Sequence, residues 1–262
     1  MSCSKLLSLV VADVSSSPPS DSQEAFLISA SHQFDVGGWI FTGFNWPVLA
    51  ARLARRINRT SFVQVLEPGA GLYLDSQSLL TSTTDYNAYG ESTCWLGSSA
   101  DVLISMVPRC DLVLIDAANV DIRGRVNTQA IGPLDHPKVR MPGGGGGPDV
   151  MARARSLVLL HGGGDISRIV ARVEHVTGEP MNAGDVRLVT RWGTLSLIGE
   201  PVLLSIADTV ETDVFIARMN SLGVETSDAE PSPPPTTIEV EHARVVLNEA
   251  RRKGYRLAAT MK

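Results

Sequence analysis

Leu112-Val113-Leu114-Ile115-Asp116 is an apolar run closed by a carboxylate. A strand with one wet face alternates apolar and polar residues, whereas an unbroken run suits a strand covered on both faces, as in an α/β sheet. Asp101 to Met106 and Ser156 to Leu160 have the same near-continuous apolar centres and read as further strands. Phe62 to Leu66 is a short strand, and Ala25 to Ala30 also reads as one. Val186 to Thr190, Thr194 to Ile198 and Val202 to Ile206 follow at close spacing with Trp192-Gly193 in the first turn, the pattern of a meander or hairpins.

Between the strands lie helical signals. Phe34 to Phe41 is apolar but broken at Gly37-Gly38, and Thr42-Gly43-Phe44-Asn45 is a turn. Asn45 stands where it can cap a helix beginning at Trp46 or Pro47. Val48, Leu49, Leu53 and Ile57 form the apolar face of that helix, with Arg52, Arg55, Arg56 and Arg59 read as a solvated face. Thr209 to Ser221 reads as a helix. Residues 226–237 form a Pro-rich linker to a terminal helix over Glu239 to Lys253, where Val240, Ala243, Val246 and Leu247 recur at helical spacing.

Composition narrows the function. The chain has 262 residues, 44% apolar and 19% charged, with a net charge of −5. That is the balance of a soluble globular protein and argues against a nucleic-acid partner. Cys3, Cys94 and Cys110 are widely spaced and match neither a disulfide framework nor a zinc site, so we expect no metal and a reducing cytoplasm. Leu6 to Ala12 is short and ends at Asp13, which reads as an element of the fold and not a signal peptide; Ser15 to Ser20 is loop. No apolar run reaches the roughly 18 residues of a membrane span.

Two stretches carry chemistry. Val65-Leu66-Glu67-Pro68-Gly69-Ala70-Gly71 places a carboxylate at the end of an apolar run, before a glycine turn. Glu67 is either a carboxylate capping that turn or a nucleophile. A carboxylate can attack an acyl thioester, form an anhydride and then take up the thiolate as an enzyme thioester. Gly69 and Gly71 would permit close approach of a ligand.

The second stretch is Gly143 to Gly147, followed by Pro148-Asp149. It is either a loose solvent loop or a backbone that presses on a substrate and aims N–H groups at a developing oxyanion. It lacks the Gly-Lys-Ser/Thr of a phosphate loop and the spacing of a dinucleotide fingerprint. Asp149 is placed to cap a helix over Val150 to Arg155. Asp121 to Asn127 reads as a strand and a turn at Gly124. His161 before Gly162-Gly163-Gly164 reads as structural; Cys94, beside Trp95, is either an alternative nucleophile or, with no activating base near it in sequence, a buried structural thiol.

In their order, these pieces resemble the β subunit of family I CoA-transferases, nearest the glutaconate CoA-transferase type. The resemblance is carried by Gly43-x-x-x-Pro47-x-Leu49-Ala50-Ala51-x-Leu53-Ala54, by Val65 to Gly69, and by Ala118-Asn119-Val120-Asp121 with Gly124, Val126-Asn127 and Ile131-Gly132. His136-Pro137-Lys138-x-Arg140 before the glycine run and Val173 to Gly178 complete it. Pro68 stands where the family has Ser or Asn, Arg125 replaces a usual Asn, and Met1 to Gln33 matches poorly.

The resemblance implies one α/β domain over residues 1–262 with an open, mostly parallel sheet and flanking helices. It implies coenzyme A, as an acyl-CoA substrate, and a carboxylic acid acceptor. It also implies an α-type partner subunit in a heterodimer or heterotetramer. Glu67 becomes the attacking carboxylate. Gly143, Gly144, Gly145 and Gly146, with Gly69, Gly71, Asn127 and Arg125, become substrate contacts. Relatives of this fold also cleave ring C–C bonds or decarboxylate thioesters. A hydrolase, a decarboxylase or a non-catalytic subunit completing an α partner's site are therefore the alternatives.

Overall fold

Alternate residues of the central strands bury against two separate cores, and this sets the architecture. Ile40, Leu112, Leu114, Val158, Leu160 and Val189 point into one core, while Phe41, Val113, Ile115, Leu157, Leu159 and Leu188 point into the other. The computed structural model describes residues 22–57 and 60–256. The segments read as Leu6–Ala12 and Ser15–Ser20, together with Cys3 and Arg59, lie outside the described residues.

The strands of the large sheet are β1 (Gly38–Thr42), β2 (Phe62–Leu66), β3 (Ala70–Leu72), β4 (Thr93–Leu96) and β5 (Leu112–Asp116). Short β6 (Val120–Asp121), β7 (Ala130–Ile131) and β8 (Val139–Arg140) precede β9 (Ser156–His161). After them come β10 (Ile169–Val170), β11 (Asp185–Thr190), β12 (Gly193–Ser196), β13 (Val202–Ile206) and β14 (Glu230–Pro231). The ten-stranded sheet runs β14-β13-β12-β11-β9-β5-β1-β2-β3-β4; β10 pairs with β6, and β7 with β8. Its centre, from β11 to β2, is parallel, with antiparallel pairs toward both margins. The antiparallel β11-β12-β13 series is the meander expected from the spacing.

Helices α1 (Gln23–His32), α2 (Trp46–Arg56) and α6 (Thr237–Arg252) cover one face. Helices α4 (Gly147–Arg153) and α5 (Thr212–Ser221) cover the other, and the short α3 (Tyr86–Tyr89) lies in the connection to β4. The fold is thus an open α/β sheet with flanking helices.

Four local readings change. Ala25–Ala30 is helical, because Ser22 Oγ accepts the Ala25 N–H at 3.1 Å and Phe26, Leu27, Ala30 and Ser31 bury at helical spacing. Asp101–Met106 is a π-helical segment and not a strand. Ser98 and Asp101 form a reciprocal cap there, with Asp101 Oδ2 accepting from the Ser98 N–H at 2.8 Å and Ser98 Oγ accepting from the Asp101 N–H at 3.2 Å. Asn45 precedes α2 but makes no side-chain cap. Asp149 does not cap α4 either: it lies in the first turn and pairs with Arg153 at 2.9 Å.

The arginine face of α2 is also not a solvated one. Arg52 is 7% exposed and binds Asp75 at 2.8 Å and Glu249 of α6 at 3.0 Å. Arg55 donates to the carbonyls of Leu72 and Tyr73 and lies over the Phe62 ring.

Candidate active site

Strand β1 comes first in sequence within the parallel centre, and the chain leaves it to one side toward β2 and returns on the other side at β5. Such a reversal opens a crevice beyond the carboxyl ends of the strands, which is where open α/β sheets bind ligands. A cavity of about 260 Å³ lies there. It is bordered by Gly43, Phe44 and Asn45 after β1, Glu67 after β2, Ile115 and Asp116 at the end of β5, and Gly143 and Gly144 of the glycine run. Thr128, Thr177 and Met141 add to its wall, and among the described residues no lysine or arginine borders it. A larger cavity, about 610 Å³, lies between α1 and β11–β13, and none of the residues predicted from sequence to form the site borders it.

The glycine run and Glu67 meet directly. A Cβ placed on Gly146 would lie 2.7 Å from Glu67 Oε1 and 2.8 Å from its Cδ, so the carboxylate rests on bare backbone. Gly143 and Gly145 hold φ of +93° and +51°, values that side chains disfavour. The Gly143 N–H is committed to the Thr128 carbonyl at 2.8 Å. The N–H groups of Gly144 and Gly145 have no hydrogen-bond partner among the described residues.

Four residues expected at the site do other work. Gly69 takes φ +110°, and a Cβ there would meet the Gly97 carbonyl oxygen at 2.1 Å; Gly71 packs against Trp95. Both glycines let β4 approach the β2–β3 turn, and neither borders the cavity. Asn127 is fully buried; its Nδ2 donates to Asn119 Oδ1 and the Ala130 carbonyl, and its Oδ1 accepts the Gln129 N–H. It fixes the loop that presents Thr128. Arg125 is tied to the buried Asp121, its Nε and a terminal nitrogen each 2.8 Å from Oδ2. Asp121 also accepts the N–H groups of Arg123, Arg125 and Val173, so this charge pair knots the β6 turn.

Reading the sequence does not single out Asn45 or Asp116 as site residues. The signal is nonetheless present: Leu112–Asp116 ends in a carboxylate as Val65–Glu67 does. Asp116 accepts a hydrogen bond from Asn45 Nδ2 at 3.3 Å. Burial pushes its acid up to about 7, against the opposing pull of the Asn45 amide and the Ala117 N–H. His161 Nδ1 donates to the Ala117 carbonyl at 2.7 Å, and burial holds its pKa below the ordinary value. It is buried under Gly164 and Trp192, which fits the structural reading. Cys94 is exposed on β4, away from the cavity, and not buried as expected.

The chain is 30% identical to the B-type subunit of 3-oxoadipate CoA-transferase from Pseudomonas knackmussii over 146 residues, 52% of this chain and 53% of the relative. Over that stretch the chain is similar to a CoA-transferase B-type subunit. It spans about half the length of that curated relative, and no family model matches it. Among solved structures, glutaconate coenzyme A-transferase from Acidaminococcus fermentans superposes with a TM-score of 0.70 at 17% identity, over 92% of this chain and 96% of that one. The decarboxylase AibA/AibB superposes with a TM-score of 0.70 at 24% identity, over 85% of this chain and 92% of that one. Rhodococcus jostii IpdAB gives 0.57 at 20% identity, over 85% and 92%. The fold is that of the CoA-transferases.

Proposed function

We propose that this chain is the β-type subunit of a CoA-transferase that moves CoA from an acyl-CoA to a carboxylic acid through a thioester on Glu67. The observation that carries this reading is the Glu67 carboxylate, seated on the bare backbone of Gly146 at the rim of the switch-point cavity. The identity to a CoA-transferase subunit supports it.

The steps balance without an outside reagent. The Glu67 carboxylate adds to the thioester carbonyl, and the CoA thiolate leaves, giving an acyl–glutamyl anhydride. The thiolate then attacks the glutamyl carbonyl, releasing the acid as a carboxylate and leaving a glutamyl-CoA thioester. The acceptor carboxylate reverses the sequence. Each addition develops an oxyanion, and the free N–H groups of Gly144 and Gly145 are the donors we assign to it. The Gly143 N–H is already occupied and is excluded from that role.

We further propose an α-type partner, in a heterodimer or heterotetramer, because the described cavity walls offer no cation for the phosphates of CoA. The free thiols Cys94 and Cys110 suit a reducing cytoplasm, where we place the enzyme. Glu67→Gln and Glu67→Ala should each abolish CoA exchange, a loss of at least about 10³-fold, while assembly with the partner is retained. Retained exchange would refute the mechanism. Similarity to AibA/AibB favours a second reading, a decarboxylase on the same fold. Product analysis without an acceptor acid separates the two, since a transferase then makes no net product.

A further inference from the structure

Thr177 meets the glycine run through both arms of its branched side chain. Its Oγ1 accepts the Thr128 N–H at 3.0 Å, and the carbonyl of that same Thr128 accepts the Gly143 N–H at 2.8 Å. Its Cγ2 lies against Gly144, where an added Cβ would come within 2.8 Å of it. Gly143 leads directly to the N–H groups of Gly144 and Gly145, the proposed oxyanion donors.

Five successive glycines have no side chains with which to fix their own backbone, so their position has to come from neighbours. Those neighbours are well anchored. The Thr177 N–H donates to the Val126 carbonyl at 2.8 Å and the Val126 N–H to the Gly178 carbonyl at 3.0 Å, an antiparallel bridge beside the cavity. Beyond β7, Glu174 accepts the Gly132 N–H at 2.7 Å and His175 Nε2 donates to the Gly132 carbonyl at 2.9 Å. The segment 174–178 thus holds the β7–β8 hairpin at two points. Of these, the Thr177–Thr128 bond falls on the residue that holds Gly143. An oxyanion donor acts only when it lies close to the place the oxygen takes in the transition state, so this short relay bears on rate.

We propose that Thr177 is a positioning residue for the transfer reaction: through Thr128 it sets the Gly144 and Gly145 N–H groups against the developing oxyanion. This rests on the CoA-transfer reading.

Thr177→Val keeps a methyl for Gly144 and removes the acceptor, whereas Thr177→Ser keeps the acceptor and removes the methyl. Parent and variants, each purified with the proposed α-type partner, are mixed with acetyl-CoA, butyryl-CoA or succinyl-CoA. The rate at which a CoA adduct appears on Glu67 is read by intact mass over a range of thioester concentration. In Thr177→Val the limiting rate should fall about 10–100-fold, since a small misplacement costs a rate of that order. The half-saturating concentration should stay near the parent's, because the oxyanion exists in the transition state and not in the bound thioester. Thr177→Ser should run close to the parent rate. A role in folding alone would lower the melting temperature and the fraction of Glu67 that can be labelled, and would leave the limiting rate per labelled site unchanged. That result, or a Thr177→Ser enzyme as slow as Thr177→Val, overturns the proposal. If Thr177→Val does not fold, Thr177→Ala replaces it, differing from Thr177→Ser by the hydroxyl alone; equal rates in that pair overturn the proposal as well. A parent enzyme whose Glu67 takes no label fails the transfer reading, and this proposal falls with it. A labelled parent with a rate that ignores the Thr177 hydroxyl fails this proposal alone.

Discussion

At Gly146 a backbone and a carboxylate touch, and one methyl group is enough to part them. A Cβ there would lie 2.7 Å from Glu67 Oε1, and the end of that side chain is free to swing away. Gly146→Ala should therefore fold normally yet lose about 10–100-fold in kcat/KM, since an ångström of misplacement costs a rate of that order. Steady-state kinetics beside a thermal melt checks this; a full rate would mean that Glu67 does not act from where it sits. Asp116 makes a prediction of the opposite kind, on stability. Its acid is raised to about 7 in the fold from an ordinary 3.8, so the folded state holds its proton more tightly than the unfolded chain. Its contribution is then favourable below pH 4 and is lost as pH rises toward 7. Asp116→Asn should gain of order 4 kcal/mol at pH 8 and little at pH 4, as denaturant melts at the two values would show. Glu67 is legible in the sequence because a glycine turn follows it. Asp116 is not, because Ala117-Ala118-Asn119 gives no such punctuation and its meaning depends on Asn45, far away in sequence.

Elements are legible where composition decides them and lost where packing does. Leu112–Asp116 and Ser156–His161 form the strands that their unbroken apolar runs predict. Ala25–Ala30 and Asp101–Met106 are equally apolar, but each follows a serine that caps a helix, and short apolar runs do not separate the two states by periodicity alone. A helical wheel gives Arg52 a solvated face because it shows no neighbours; Asp75 and Glu249 reach it from the loop beyond β3 and from α6. The same blindness makes Arg125 look like a substrate contact. Asp121 is fully buried and Arg125 is its counter-charge, so Arg125→Gln should destabilise the β6 turn by about 3–5 kcal/mol. Calorimetry should show that loss, while KM for the acceptor acid changes little in whatever fraction stays folded. A stable variant with a raised KM would restore the substrate role.

Across the whole molecule, the parallel centre of the sheet aims the ends of β1, β2 and β5 at one crevice, and that convergence is what brings Glu67, Asn45 and Asp116 together. Strand order cannot be read from propensities; the resemblance in motifs implies an open, mostly parallel sheet with flanking helices, and the topology bears that much out. The crevice is small and, among the described residues, free of basic side chains, which fits an acyl group and leaves the rest of CoA to be held elsewhere. The most direct test is the intact mass of this chain, purified with the proposed α-type partner, mixed with acyl-CoA donors and treated with borohydride. We expect a CoA-sized adduct before reduction, its loss on reduction, and a reduced residue mapping to Glu67. An enzyme that consumes the thioester without ever modifying Glu67 would contradict the covalent mechanism.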